Sequence, residues 1–138
     1  MAASIYIVQY PCKQTIKPIY RMFIQLNHKK LDVYQLAREL VKEVYRVSLN
    51  LPPEERFNMM QQIRRAALSV KLNLSEGSSR RSEVERKRYF EISRGSVVEI
   101  DSALETAVDL KYYEQEELQS IGVLLNRCFS MLSKMIGT

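Results

Sequence analysis

Between Asp32 and Ile136, apolar residues return at every third or fourth position in four successive stretches, and the only prolines in that span are the adjacent pair Pro52-Pro53. Recurrence at three and four places one apolar face along a helix. With only Gly 4 and Pro 4 in 138 residues, the chain has few of the turn formers that a sheet protein uses to reverse direction. The pattern therefore restricts it to long helices packed on one another. One domain is expected at this length, and an apolar fraction of 46% is enough for a sizeable core.

The first stretch, residues 32–48, opens with Asp32 as N-cap and buries Val33, Leu36, Ala37, Leu40, Val41 and Val44. Pro52 and Pro53 end it. Pro53 suits the first turn of a second helix, and Glu54 and Glu55 follow where the helix dipole favours acids. That second helix is predicted over residues 53–76, with Gly77 as a left-handed stop. Its core stripe is the Arg56 stem, Met60, Ile63, Ala67, Val70 and Leu74. A polar stripe of Gln62, Ser69, Asn73 and Glu76 lies about 130° round, and Leu68 and Leu72 fall on neither.

The third helix opens at a Ser82–Glu85 capping box and continues to Tyr112. Its expected core is Tyr89, Ile92, Ser96, Ile100, Ala103, Ala107 and Leu110. Phe90, Val97, Leu104 and Val108 make a second apolar stripe about 100° away. The fourth helix starts within residues 114–117 and runs to Ile136, with Leu118, Ile121, Leu125, Cys128, Leu132 and Met135 inside and Gly137 as its stop. Four such helices with short loops give an all-α, antiparallel up-down-up-down four-helix bundle over residues 31–138. Residues 1–30 contain Pro11 and Pro18 and have no helical period, so they are expected as an irregular N-terminal extension, with short strand or coil at "SIYIVQY". Met22 is an alternative start.

Charge is distributed unevenly. The stretch from Gln61 to Ser96 holds nine of the 21 Lys and Arg residues and four acids, and so carries the whole net charge of +5. Antiparallel order gathers Lys29, Lys30, Lys71, Arg80, Arg81, Arg86, Lys87, Arg88 and Lys134 at one pole. The other half collects Glu54, Glu55, Asp101, Glu105, Asp109, Glu114, Glu116 and Glu117, beside Lys42, Arg46 and Lys111. A basic pole points to an anionic partner, RNA or DNA. Lys71, Arg80, Arg81, Arg86, Lys87, Arg88 and Arg94 are the candidate phosphate contacts, aided by the positive end of the third helix. The alternative is a solvated face on which Glu83, Glu85 and Glu91 neutralise their neighbours. Base stacking by Tyr89 or Phe90 is disfavoured, because helical phase sends Tyr89 to the core and Phe90 toward another subunit.

The residue types exclude most chemistry. A di-metal bundle site asks for Glu-x-x-His pairs, and His28, the only histidine, precedes the bundle. There is no Gly-rich phosphate loop, Ser–His–Asp set or Cys–His pair, so no catalytic residue, metal or cofactor is expected. Gln62, Arg64, Arg65, Asn73, Glu76 and Glu99 read instead as a structural polar network, with Arg64 or Arg65 paired to Glu76 or Glu99. Cys12 and Cys128 have neither CxxC nor zinc spacing, which favours a reduced, cytoplasmic protein. Cys128 has the phase of a buried, inert thiol. No run approaches the ~18 apolar residues of a membrane span, and the start lacks the basic region of a signal peptide. Leu68, Leu72, Phe90, Val97 and Leu104 form apolar surface off the core. A second copy would cover it, as in a ring; burial beneath the N-terminal segment is the alternative.

The motif "QIRRAALSVKLNLSEGSSRRSEVE", followed by "YFEISRGSVVEIDSALETAVDL", resembles the four-helix-bundle family of bacterial intervening-sequence proteins, whose genes were first noticed inside large-subunit ribosomal RNA genes. Gln62, Arg64, Arg65, Ala66, Ala67, Ser69, Asn73, Glu76, Gly77, Arg80, Ser82, Glu85, Phe90, Gly95, Ser96 and Glu99 fill the family pattern. Lys71 departs from it, where many members have proline. The family includes or adjoins the accessory variability determinant of diversity-generating retroelements, which looks like a homopentamer with a basic surface that binds nucleic acid and a reverse transcriptase. The resemblance implies a non-enzymatic, oligomeric nucleic-acid binder with a reverse transcriptase as a candidate partner. The competing reading from a different class is a protein–protein scaffold with no nucleic-acid role.

Overall fold

The computed structural model describes residues 23–137. Among these there is no strand. Four helices, α1 (Asp32–Ser48), α2 (Met59–Ser79), α3 (Glu83–Asp109) and α4 (Gln119–Ile136), are joined by short turns, with 3-10 turns at Asn27–Lys30, Pro53–Glu55 and Gln115–Leu118. Each helix packs on its neighbour in the chain, and α4 closes back on α1. This is the antiparallel bundle that the periodicity predicts. The expectation for "SIYIVQY" falls on residues 4–10, which lie outside the described residues, as does Cys12.

The core follows the predicted stripes of α1, α2 and α4. Leu40, Val44, Ile63, Val70, Leu74, Ile121, Cys128 and Leu132 are at most 1% exposed, and each fully buried aliphatic side chain contributes about 1.5–3 kcal/mol. Arg56 is exposed and takes no part in it. Asp32 is the first helical residue rather than the cap; Leu31 precedes it and offers no side-chain bond.

The phase of α3 differs from expectation. Its buried residues are Phe90, Ser93, Ser96, Val97, Ile100, Leu104 and Ala107, so the seam runs between the two apolar stripes. Phe90, Val97 and Leu104, expected on a surface for a second copy, are core residues at 7%, 2% and 4% exposure, whereas Ile92 and Leu110 are 44% and 50% exposed. The physical reason is Ser93. Its hydroxyl donates to the Val70 carbonyl of α2 at 2.7 Å, and a buried hydroxyl so satisfied loses its claim to solvent. A polar residue can therefore occupy the centre of the seam.

Both ends of α2 also differ. Asn58 leaves helical geometry (φ −127, ψ −95), so Pro53–Glu55 remains a separate turn. The Glu55 carboxylate caps α2, accepting from the Met59 N–H and from Asn58 Nδ2 at 3.2 Å each. At the other end the helix runs through Gly77 to Ser79. Gly77 is not left-handed. It is buried, and a Cβ there would lie 2.9 Å from both Phe90 Cε1 and Tyr89 Cβ. Its missing side chain lets α3 approach α2. The left-handed stops are Gly137 (φ 94), as predicted, and Lys111 (φ 65). Lys111 closes α3 with the Tyr112 N–H bonded to the Ala107 carbonyl and its own N–H to Val108.

Candidate nucleic-acid interface

The bundle brings the starts of α1 and α3 and the ends of α2 and α4 to one pole. Cross-helix contacts mark it: Lys71 of α2 lies 5.7 Å over the Tyr34 ring of α1, and Arg94 of α3 donates to Ser133 Oγ of α4 at 3.0 Å. At the other pole Tyr112 donates to Glu55 at 3.1 Å and Ser120 to Glu43 at 3.1 Å, and the Tyr113 hydroxyl donates to the Val47 carbonyl. Ser82 caps α3 by accepting from the Glu85 N–H at 3.4 Å. The positive end of that helix therefore sits among the cations.

The seven candidate phosphate contacts separate into three kinds. Arg80 pairs with the Glu76 carboxylate, lies 5.2 Å over the Tyr89 ring and reaches the Tyr89 hydroxyl at 3.3 Å; Lys87 pairs with Glu83 at 3.2 Å. Lys71 and Arg94 pack on aromatic rings on different sides of the bundle, Tyr34 on α1 and Phe129 on α4, the latter at 5.5 Å. Arg81, Arg86 and Arg88 are the remaining three. Arg81 and Arg88 are exposed and Arg86 is half-buried, and none has an ion-pair partner among the described residues. At ~100° per residue, Arg86 and Arg88 splay to different sides of α3. The cations therefore form a collar around the helix start rather than a flat patch.

The expected polar network takes another form. Neither Arg64 nor Arg65 pairs with Glu76 or Glu99. Arg64 Nε instead donates to the buried Ser48 Oγ at 2.8 Å, and its guanidinium lies 4.7 Å over the Tyr45 ring, tying α2 to α1. Gln62, Arg65 and Glu99 are exposed. Asn73 donates to the Ser69 carbonyl and hydroxyl at 2.9 Å each, and Ser96 Oγ lies 2.8 Å from Ser69 Oγ across the α2–α3 seam. Sequence reasoning missed Ser48 and Ser93, both 0% exposed. Their one signal was their position at apolar phase.

Leu68 and Leu72, one turn apart on α2, stay 38% and 60% exposed. Among the described residues, no three His, Cys, Asp or Glu side chains come together as metal ligands, and no helix is long and apolar enough to cross a membrane. His28 is buried edge-on against Tyr34, and burial followed by Lys29 lowers its pKa. Burial pushes the Cys128 thiol up to about 11, which holds it protonated and unreactive at neutral pH.

Residues 29–134 match the family model described as 23S rRNA-intervening sequence protein. A crystal structure of a protein with unknown function from the S23 ribosomal protein family of Bacteroides thetaiotaomicron superposes with a TM-score of 0.71 at 21% identity, covering 77% of this chain and 99% of that one. No curated protein matches the sequence.

Proposed function

The chain belongs to the 23S rRNA-intervening sequence protein family, and from that premise we propose that it is a non-enzymatic accessory protein that binds the phosphate backbone of RNA at the pole where α2 hands over to α3. The observation that carries this is the trio Arg81, Arg86 and Arg88, held at a capped helix start without carboxylate partners among the described residues. A guanidinium not already spent on an acid is available to a phosphate, and each contact releases counterions. The collar arrangement suits a bent or folded backbone and offers no array of base-reading groups.

The test is a salt titration of binding to a ribosomal-type RNA hairpin and to a DNA duplex, read by fluorescence anisotropy. Log K is expected to fall against log salt with a slope of about −2 to −3, at about −0.7 to −0.9 per phosphate contact for three contacts. Absence of binding to either at low salt would leave the scaffold reading in its place.

The same protein self-associates in this reading, through the Leu68 and Leu72 face of α2. That contact would repeat the basic collar and raise avidity for a polyanion. Leu68→Glu with Leu72→Glu is expected to lower the mass seen by light scattering while leaving the helical signal intact. An unchanged mass removes that face from any interface. The resemblance to the retroelement accessory protein extends the reading to a reverse transcriptase as the enzyme served, which a reverse-transcriptase gene beside this one would support.

A further inference from the structure

Between Glu55 and Glu76 the chain has no acid and four cations, Arg56, Arg64, Arg65 and Lys71; between Arg94 and Lys111 it has no cation and four acids, Glu99, Asp101, Glu105 and Asp109. Each helix packs on its chain neighbour and α4 on α1, so the α1–α2 side and the α3–α4 side stand back to back. The first is a ridge. At ~100° per residue, Leu68 and Leu72 are turned ~140° and ~180° from the buried Ile63 and point outward. Arg64 flanks them over the Tyr45 ring of α1, and Arg65 is exposed beside them. The second side is a hollow of about 180 Å³ bounded by Val98, Asp101 and Phe129. A larger hollow of about 780 Å³ continues it past Glu105 and Asp109. Val98 and Phe129 are 47% and 43% exposed. None of Arg64, Arg65, Asp101 and Glu105 has an ion-pair partner among the described residues. An apolar ridge edged by cations and an apolar hollow edged by carboxylates are complementary in both shape and charge.

The contact between Ser69 and Ser96 fixes the relative heights of the two sides. Because α2 and α3 run antiparallel, Leu68 is level with Val97, and Arg64 and Arg65 are level with Asp101 and Ile100. Two copies standing parallel and side by side, with no axial shift, bring Leu68 to the hollow between Val98 and Phe129 and set Arg64 and Arg65 opposite Asp101, one turn from Glu105. We propose that the α2 ridge of one copy docks in the α3–α4 hollow of the next, Leu68 and Leu72 on Val98 and Phe129, Arg64 and Arg65 against Asp101 and Glu105. This contact rests on the self-association proposed above and gives it a receiving surface. The two surfaces differ, so the contact is heterologous, and each copy gives one and receives one. Arg81, Arg86 and Arg88 take no part in it. A parallel arrangement turns every collar to the same end of the assembly, where one polyanion meets several of them.

Two variants of the full chain, each lacking one surface, test the contact by light scattering after size exclusion. The ridge variant is Leu68→Glu with Leu72→Glu, and the hollow variant is Asp101→Lys with Glu105→Lys. All four positions are exposed, so the helical signal of both should match that of the parent. Each variant alone is expected at the 16.2 kDa of a single chain. The ridge variant keeps its hollow and the hollow variant keeps its ridge. Mixed in equal amounts, they should therefore form a species of two chains that grows no further, while the parent is larger than a single chain. A hollow variant that keeps the parent mass would overturn this contact and leave association through Leu68 and Leu72 standing, as a face that meets its own copy. A ridge variant that keeps the parent mass, or a parent that is itself a single chain, would remove both. Two single-chain variants that do not combine on mixing would also overturn the contact. No RNA enters the measurement, so phosphate binding by the collar is judged separately.

Discussion

Phe90→Ala is expected to cost about 3–5 kcal/mol, the range for removing a buried aromatic ring, and to lower the melting temperature by roughly 10–20 °C. The ring is 7% exposed and packs on Gly77, which has no side chain of its own to relax into the space. Ile92→Ala, two residues on but 44% exposed, should cost about 1 kcal/mol or less. Thermal unfolding of the two variants reads the phase of α3 directly. The reverse order, or a change of mass in place of a change of stability for Phe90→Ala, would return Phe90 to an interface between copies. The partner of the contact is equally informative. Gly77→Ala gains about 1 kcal/mol of helix propensity but drives a methyl to 2.9 Å from the ring and from Tyr89 Cβ, and overpacking of that kind costs about 1–3 kcal/mol. A net loss is expected. In the Phe90→Ala background that loss should shrink, because the ring's share of the clash is gone while the Tyr89 share remains.

The second large effect concerns the collar. Changing Arg81, Arg86 and Arg88 together to Ala should flatten the salt slope of RNA binding by about 2–3 and weaken affinity roughly 100- to 500-fold at 0.1 M salt, the electrostatic free energy of three phosphate contacts referred to 1 M. Folding should be little affected, since Arg81 and Arg88 are exposed and none of the three has an ion-pair partner among the described residues. Arg80→Ala provides the contrast. Its guanidinium is engaged by Glu76 and by the Tyr89 ring and hydroxyl, so its loss should disturb the α2–α3 junction more than the slope. Anisotropy titrations at four or five salt concentrations decide between them. An unchanged slope in the triple variant would place the anion site elsewhere or remove it.

Much of this molecule is written locally. The three-and-four recurrence specifies where the helices are and which face of α1 and α4 is inward, because those stripes are apolar except for Ser48 at the end of α1, and α4 ends on a glycine that can take a positive φ. The family motif is likewise contiguous in the chain, and Arg80, Arg81, Arg86, Lys87 and Arg88 of the basic pole lie close together within it. The seam of α3 was not legible in this way. Residue type alone sets Ser93 outside and Ile92 inside; the Val70 carbonyl across the seam reverses both.

The difference is one of range. The sequence by itself determined the four helices, their antiparallel order and the gathering of cations at one pole, since each rests on periodicity, turn residues and chain direction. Only the tertiary structure decided that Gly77 is a point of close approach, that Arg64 is held by Ser48 and Arg80 by Glu76, and that Arg81, Arg86 and Arg88 have no carboxylate partner among the described residues. Those outcomes depend on which side chain comes within a hydrogen-bond length of which. Such distances are set by the packing of two helices against each other, and neither helix encodes them alone.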